Sequence, residues 1–250
     1  MIVALDLPNM ICSLWHAQRG IGVLNAVATR LAALVNRLCP RHVVACFDRR
    51  SFRHDLFAGY KAGRKEKPEG LLRDLAEGPT AVADLATILV EDGFEADDCL
   101  AAVAVAGQKI GEKVILASPD KDLRQCLIEG QVTILRSFGL VGKKVETCEW
   151  FTAAKLAEDF KLTPRQWPDY QALCGDSTDG IPGCAGWGEV TTLAAMQKAG
   201  SLAEMFTNPW ALPISQKQQM SLLKFKGQAE KMRSLVTLRT DVEGVWDVLR

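Results

Sequence analysis

Three apolar runs that close on aspartate constrain this chain more than any other feature. IVALD ends on Asp6, VVACFD on Asp48, and VILASPDKD on Asp120 and Asp122. Each run is rich in Val, Ile and Leu without alternation, the pattern of a parallel strand covered on both faces. In open α/β sheets ligands bind outside the carboxyl ends of the strands, so these aspartates converge on one crevice. Carboxylates gathered there repel one another and raise their own pKa values unless a cation sits among them. The pattern therefore predicts a divalent metal site.

The rest of the first half alternates in the same way. Strands are expected at 2–6, 43–47, 113–117 and 131–135, with helical patterns near 22–38, 70–90, 96–107 and 120–129. From about residue 146 the strands are expected to stop. Thr163-Pro164-Arg165-Gln166 reads as a capping box with Pro at the first helical position, and Ser201 to Glu204 as another, so the second half reads as helical. The boundary is placed at the turn Gly142-Lys143-Lys144, giving a first domain over 1–147 and a second over 148–250.

Further carboxylates stand at helix starts and loops. Glu95-Ala96-Asp97-Asp98 opens a helix, where acids suit the macrodipole, but three carboxylates in four residues exceed what a structural start needs. Asp176 and Asp179 lie in a turn-like GDSTDG stretch, for which a plain turn is the default reading. Together the nine acids Asp6, Asp48, Glu95, Asp97, Asp98, Asp120, Asp122, Asp176 and Asp179 form a hard oxygen donor set suited to Mg²⁺ or Mn²⁺. The eight cysteines contain no C-x-x-C pair and have three histidines for company, which argues against zinc and for reduced core thiols in a cytoplasmic protein. No apolar run approaches the roughly 20 residues of a membrane span, and the N-terminus enters a strand without a basic leader, so no membrane attachment is expected.

Thirty basic residues balance thirty acidic ones, so net charge alone does not announce a nucleic-acid partner. The distribution does. From Arg49 to Lys67 seven Lys or Arg face two acids, with Phe52, Phe57 and Tyr60 among them, a mixture suited to stacking bases and neutralising phosphates. His54 reads as a packing residue. Gly183, Gly186 and Gly188 precede a helical run. The functional reading of such glycine spacing is a hairpin whose exposed N–H groups meet a phosphate; its bland reading is a helix-joining turn. Of the six tryptophans, Trp187 in this turn is expected to be exposed.

The ordered motifs FD at 47–48, SFRHDLFAGYKAGR at 51–64, EADD at 95–98, SPDKDL at 118–123, LTPRQWPDYQALCGDSTDGIPG at 162–183 and GWGEVTT at 186–192 resemble the 5′-nuclease family. That family comprises the 5′→3′ exonuclease domain of bacterial DNA polymerase I and the related flap endonucleases. The resemblance implies a PIN-like parallel-sheet α/β nuclease core with an arch at about 49–70, followed by an α-helical domain with a helix-three-turn-helix at about 164–200 that grips duplex DNA through a K⁺ ion. It further implies two metal ions, the first held by Asp6, Asp48, Glu95, Asp97, Asp98 and Asp120, the second served by Asp122, Asp176 and Asp179, clamping a scissile phosphate. Asp120, Lys61 and Arg64 would be catalytic. Arg53, Tyr60, Lys61, Arg64, Gly183, Gly186 and Gly188 would contact DNA, Tyr60 by stacking a frayed base.

Four positions depart from the family pattern: Leu7-Pro8 replaces a glycine, an arginine is missing between Asn9 and Arg19, Gly180 replaces an asparagine, and Val190 replaces a lysine. The expected activity is metal-dependent hydrolysis of DNA at 5′ ends, flaps or nicks by a monomer, with any DNA polymerase a separate partner. The alternatives are a catalytically weak DNA-end-binding module and a PIN-type RNA nuclease.

Overall fold

A computed structural model describes residues 1–250. In chain order the elements are β1 (Ile2–Asp6), α1 (Leu7–Gln18), α2 (Val23–Leu38), β2 (His42–Cys46), α3 (Arg53–Leu56), α4 (Glu69–Val82), β3 (Thr87–Leu89), α5 (Ala96–Lys109) and β4 (Val114–Ala117). They continue with β5 (Val132–Val141), β6 (Lys144–Phe151), α6 (Ala153–Phe160), α7 (Trp167–Cys174), α8 (Glu189–Ala199), α9 (Leu202–Thr207) and α10 (Gln216–Val236). The chain divides into two compact units. One holds Met1–Ser51, Glu66–Thr152 and Arg239–Arg250, the other Phe52–Lys65 and Ala153–Leu238.

The first unit is built on one sheet of order β3-β2-β1-β4-β5-β6. β1 to β5 run parallel and β6 returns antiparallel to β5. The central strand β1 is buried at every position, as its unbroken apolar run requires. Val3 and Leu5 pack with Ile11, Val27, Leu31 and Leu71 of α1, α2 and α4. The other face is covered by α5, where Gly107 lies so close to Ile2 and Val114 that an added Cβ would come within 2.2 Å of Val114 Cγ2. Two expectations need correction. β5 does not end near 135 but runs through a Gly142 turn into β6, so the expected boundary at 147 falls inside a hairpin. The expected helix over 120–129 is a short 3₁₀ turn, Asp122–Cys126.

The second unit is helical. Asp169 of α7 accepts from Arg233 of α10 at 2.6 Å and from the Leu202 amide at the start of α9 at 3.0 Å, joining three helices through one carboxylate. Both capping boxes read from the sequence involve the expected residues: Gln166 Oε1 accepts from Thr163 N at 2.8 Å, and Ser201 Oγ from Glu204 N at 3.2 Å.

Packing assigns two segments against their sequence neighbours. Residues 52–65, expected in the first domain, belong to the helical unit, whereas 239–250 belong to the sheet unit, where the Arg239 amide donates to Asp98 at 2.8 Å. Arg53 supplies the reason for the first. It is 1% exposed, and its guanidinium donates to the carbonyls of Leu235 at 2.8 Å and Thr237 at 3.1 Å at the end of α10. A cation there satisfies carbonyls that a helix terminus leaves without partners. Arg53 therefore cannot meet DNA from this position; it ties the segment down. Arg53→Met should lower stability by roughly 2–3 kcal/mol, because charge-assisted bonds to buried acceptors are lost. Urea unfolding checks this, and an unchanged midpoint would mean the carbonyls find other donors.

Candidate metal centre

Strand register brings the acids to one edge. Asp6 pairs with Cys46 and Leu5 with Ala117, so Asp6, the residues just after β2 and Ser118 emerge together at the carboxyl ends of β1, β2 and β4. Asp6 also caps α1, accepting from the Asn9 amide at 3.0 Å. Its second oxygen accepts from Ser118 Oγ at 3.0 Å, and the same hydroxyl accepts from the Asp120 amide at 3.2 Å. Asp120 in turn accepts from the Asp122 amide at 2.8 Å, so the SPDKD turn is folded by its own side chains. Asp48 accepts from the Ala96 amide at 2.9 Å, fastening the exit of β2 to the start of α5.

At that start, single carboxylate oxygens of Glu95, Asp97 and Asp98 lie within 4.8 Å of one another, a spacing at which one cation can be shared. Asp98 is fully buried, and its two oxygens accept the amides of Glu95 at 3.1 Å and Arg239 at 2.8 Å. Asp97 accepts the Asp98 amide at 2.8 Å. The electrostatics match the crowding. Burial above all, then the charges of Asp48 and Asp120, push Asp6 up to about 7 against the opposing bonds from Asn9 and Ser118. Burial and the neighbouring acids likewise raise the thiols of Cys46, Cys99 and Cys126, which keeps them protonated, as expected of core cysteines. A set of carboxylates without histidine or thiolate, one of them pushed toward neutrality by burial and then by its neighbours, fits a hard divalent cation. Ser118 is the hydroxyl that links two of these acids.

Asp176 and Asp179 belong to the helical unit. Asp176 accepts from the amides of Thr178 at 2.8 Å and Asp179 at 3.3 Å, closing the turn in which it sits. Asp179 forms an ion pair with Arg64, and its carbonyl accepts from the Lys61 amide at 2.8 Å. Gly180 lies beneath the same segment, where an added Cβ would come within 2.4 Å of the Gly59 carbonyl oxygen. Lys61 holds a left-handed backbone, with its ammonium 4.8 Å from the centre of the Tyr60 ring.

Three expectations about this surface change. Tyr60 is 4% exposed and packs edge-on against His54 at 5.1 Å, so it offers no free face for a base. Trp187 is buried and donates to the Gln218 carbonyl at 3.1 Å, because the hairpin is anchored on α10. Gly183 serves the turn itself: an added Cβ would come within 2.5 Å of the backbone of Leu173 and Cys174. Gly186 and Gly188 have open space around them and lead into α8, whose Val190 is 84% exposed.

The Asp6 shift has a consequence for stability. Between its unfolded value of 3.8 and about 7 the folded, metal-free protein binds a proton that the unfolded chain has lost. Stability from this group is therefore full below pH 4, falls as pH rises, and is gone above about 7. In EDTA, Asp6→Asn, which retains a good helix cap, should flatten this fall and melt above the parent at pH 8. Divalent cation should raise the parent's Tm more than the variant's. Parallel Tm profiles across pH 4–8 would refute the assignment.

A family model described as 5′-3′ exonuclease, N-terminal resolvase-like domain, matches residues 10–161. A second, 5′-3′ exonuclease, C-terminal SAM fold, matches 162–248. The flap endonuclease Xni of Pectobacterium atrosepticum is 31% identical over 249 residues, covering 96% of this chain and 90% of that protein. DNA polymerase I of Mycobacterium tuberculosis is 36% identical over 196 residues, 76% of this chain but 21% of that protein, so the chain spans about a fifth of the polymerase's length. In fold, the T5 D15 protein co-crystallized with metal ions matches 99% of this chain and 95% of its own at a TM-score of 0.83 and 19% identity. With both family models matched in sequence order across nearly its whole length, the chain belongs to the 5′-3′ exonuclease family.

Proposed function

We propose that the protein is a metal-dependent 5′ nuclease that hydrolyses phosphodiester bonds of DNA at 5′ ends, flaps or nicks. The observation that carries this reading is the acidic carboxyl edge of the parallel sheet, where Asp6 is pushed to about 7 by burial and by Asp48 and Asp120, and where Asp48 is fastened to the helix start that groups Glu95, Asp97 and Asp98. In this reading two Mg²⁺ or Mn²⁺ ions are held, one by these six and one served by Asp122, Asp176 and Asp179. When bound, such ions supply Lewis acidity and a water of lowered pKa.

The protein's own groups do the positioning. Ser118 and the Asn9 amide orient Asp6, and the Glu95 and Arg239 amides fix Asp98, so the donors need little reorganisation. Lys61 and Arg64 are the cations assigned to charge that develops on the phosphate. The start of α8, bared by Gly186 and Gly188, is assigned to the phosphates of duplex DNA, with a K⁺ ion at the same hairpin. A monomer acting beside a separate DNA polymerase completes the reading.

The deciding experiment compares a 5′-labelled flap, a nicked duplex, a single strand and an RNA strand with Mg²⁺ and with EDTA. Cleavage of the DNA substrates should require the metal, and Asp120→Ala should lower single-turnover cleavage at least about 100-fold while DNA binding persists. Undiminished cleavage in EDTA would sink the metal mechanism, and preference for RNA would replace DNA as substrate. The exposed Val190 gives a second test. Val190→Lys should tighten duplex binding and steepen the slope of log K against log salt by about 0.9. If affinity and slope stay as they were, α8 does not face the duplex backbone.

A further inference from the structure

The sheet order reverses between β1 and β4, the place where open α/β sheets leave a crevice at their carboxyl edge. A cleft of about 270 Å³ opens there. Asp6 and Ser118 form part of its lining, and the face of α1 carrying Asn9, Met10, Ser13 and Leu14 forms more. Into the same cleft α2 sends Arg30 and β5 sends Arg136, Ser137 and Phe138.

The two arginines differ. Arg136 is paired with Glu149 at 2.7 Å, which compensates its charge. Arg30 lies over the Phe138 ring with its guanidinium carbon 4.5 Å from the centroid and donates to the Phe138 carbonyl, so its plane is fixed. Burial draws its pKa down, with no carboxylate contributing in the other direction. A guanidinium stays charged under such conditions, and its remaining donors suit an anion, phosphate above all. The same cleft is lined by the Ser13 hydroxyl, by the apolar side chains of Met10 and Leu14, and by Ser137, whose hydroxyl donates to Glu149 at 3.0 Å. Asp6 repels an anion from its own end, which leaves the Arg30 end as the seat. One charged group, one hydroxyl and an apolar wall, in a volume at the small end of ligand pockets, match one nucleotide and not a strand.

We propose that this cleft is a mononucleotide subsite, seating a deoxynucleoside 5′-monophosphate with its phosphate on Arg30 and its sugar and base along Met10 and Leu14. It deepens the nuclease reading, on which it rests for the source of the ligand: such a nucleotide is what hydrolysis at a 5′ end releases. The site then retains product beside the carboxylates, and added nucleotide competes with the next turnover.

The test is calorimetric titration of the whole protein with dTMP, thymidine and inorganic phosphate in EDTA, where the carboxylate cluster holds no ion. Binding of dTMP should exceed that of either fragment. Arg30→Gln should weaken it at least about 10-fold, the scale of one lost charge-assisted contact. Ser13→Glu, at an exposed position of α1 where folding is undisturbed, should weaken it similarly by repulsion. Equal dTMP affinity in parent and Ser13→Glu overturns the proposal, as does phosphate alone binding as tightly as dTMP. The readout needs no cleavage. Nucleotide binding without DNA cleavage would remove the nuclease reading and keep the subsite; cleavage without dTMP binding would do the reverse.

Discussion

Burial of one carboxylate, Asp6, beside other acids is the constraint on which the carboxyl edge of the first unit depends. Asp6 rises to about 7 because burial and the charges of Asp48 and Asp120 act together, and the bonds from Asn9 and Ser118 only partly offset them. Such a cluster persists in a fold only when the backbone around it is over-determined. Here it is. Asp6 caps a helix, Asp48 accepts from the first amide of α5, Asp98 accepts from two amides, and Asp120 closes its own turn. The acids are thus the local folding devices of the strand ends as well as the candidate donors. This is why the plain reading of each motif, a cap or a turn, and the chemical reading are both satisfied.

That double role explains what the sequence made legible. Unbroken apolar runs ending on aspartate identified β1, β2 and β4 and the edge on which their acids meet, because a parallel strand buried on both faces leaves a continuous signature. Capping boxes at Thr163 and Ser201 identified helix starts because that bond is local. The miss at β6 has a different cause. Lys144 to Phe151 is largely exposed and polar, and its pairing with β5 rests on register across a bulged hairpin that no periodicity announces. The short strand β3 was absorbed into the helical pattern before it, since three residues are too few for a period to show.

Arg53 and Tyr60 of the segment 52–65 depart from the nucleic-acid reading for a reason particular to charge. Four cations with interleaved aromatics describe a nucleic-acid surface and a buried anchor equally well until the partners are known. Arg53 spends its guanidinium on the end of α10, Tyr60 packs against His54, and Arg64 pairs with Asp179. Composition counts donors; only packing says which acceptors have claimed them. Gly180 fits the same account, since a side chain there would press on the Gly59 carbonyl. Its departure from the family pattern is thus matched by the path of the segment above it.

The remaining departures sort by location. Leu7 is buried in the core of the first unit and Pro8 stands in the opening turn of α1, so that helix begins at once after Asp6 and the position following the aspartate is packed instead of flexible. A helix begun there turns Asn9, Met10, Ser13 and Leu14 toward one cleft, and the short side chain at Ser13 leaves its mouth open. Arg30 reaches this cleft from α2 and is braced there by Phe138. Metal chemistry fixes the position of every donor to within a fraction of an ångström, whereas an anion seat needs only a cation within reach. Variation concentrated on the phosphate side of a site, with the acids intact, is what that difference in tolerance produces.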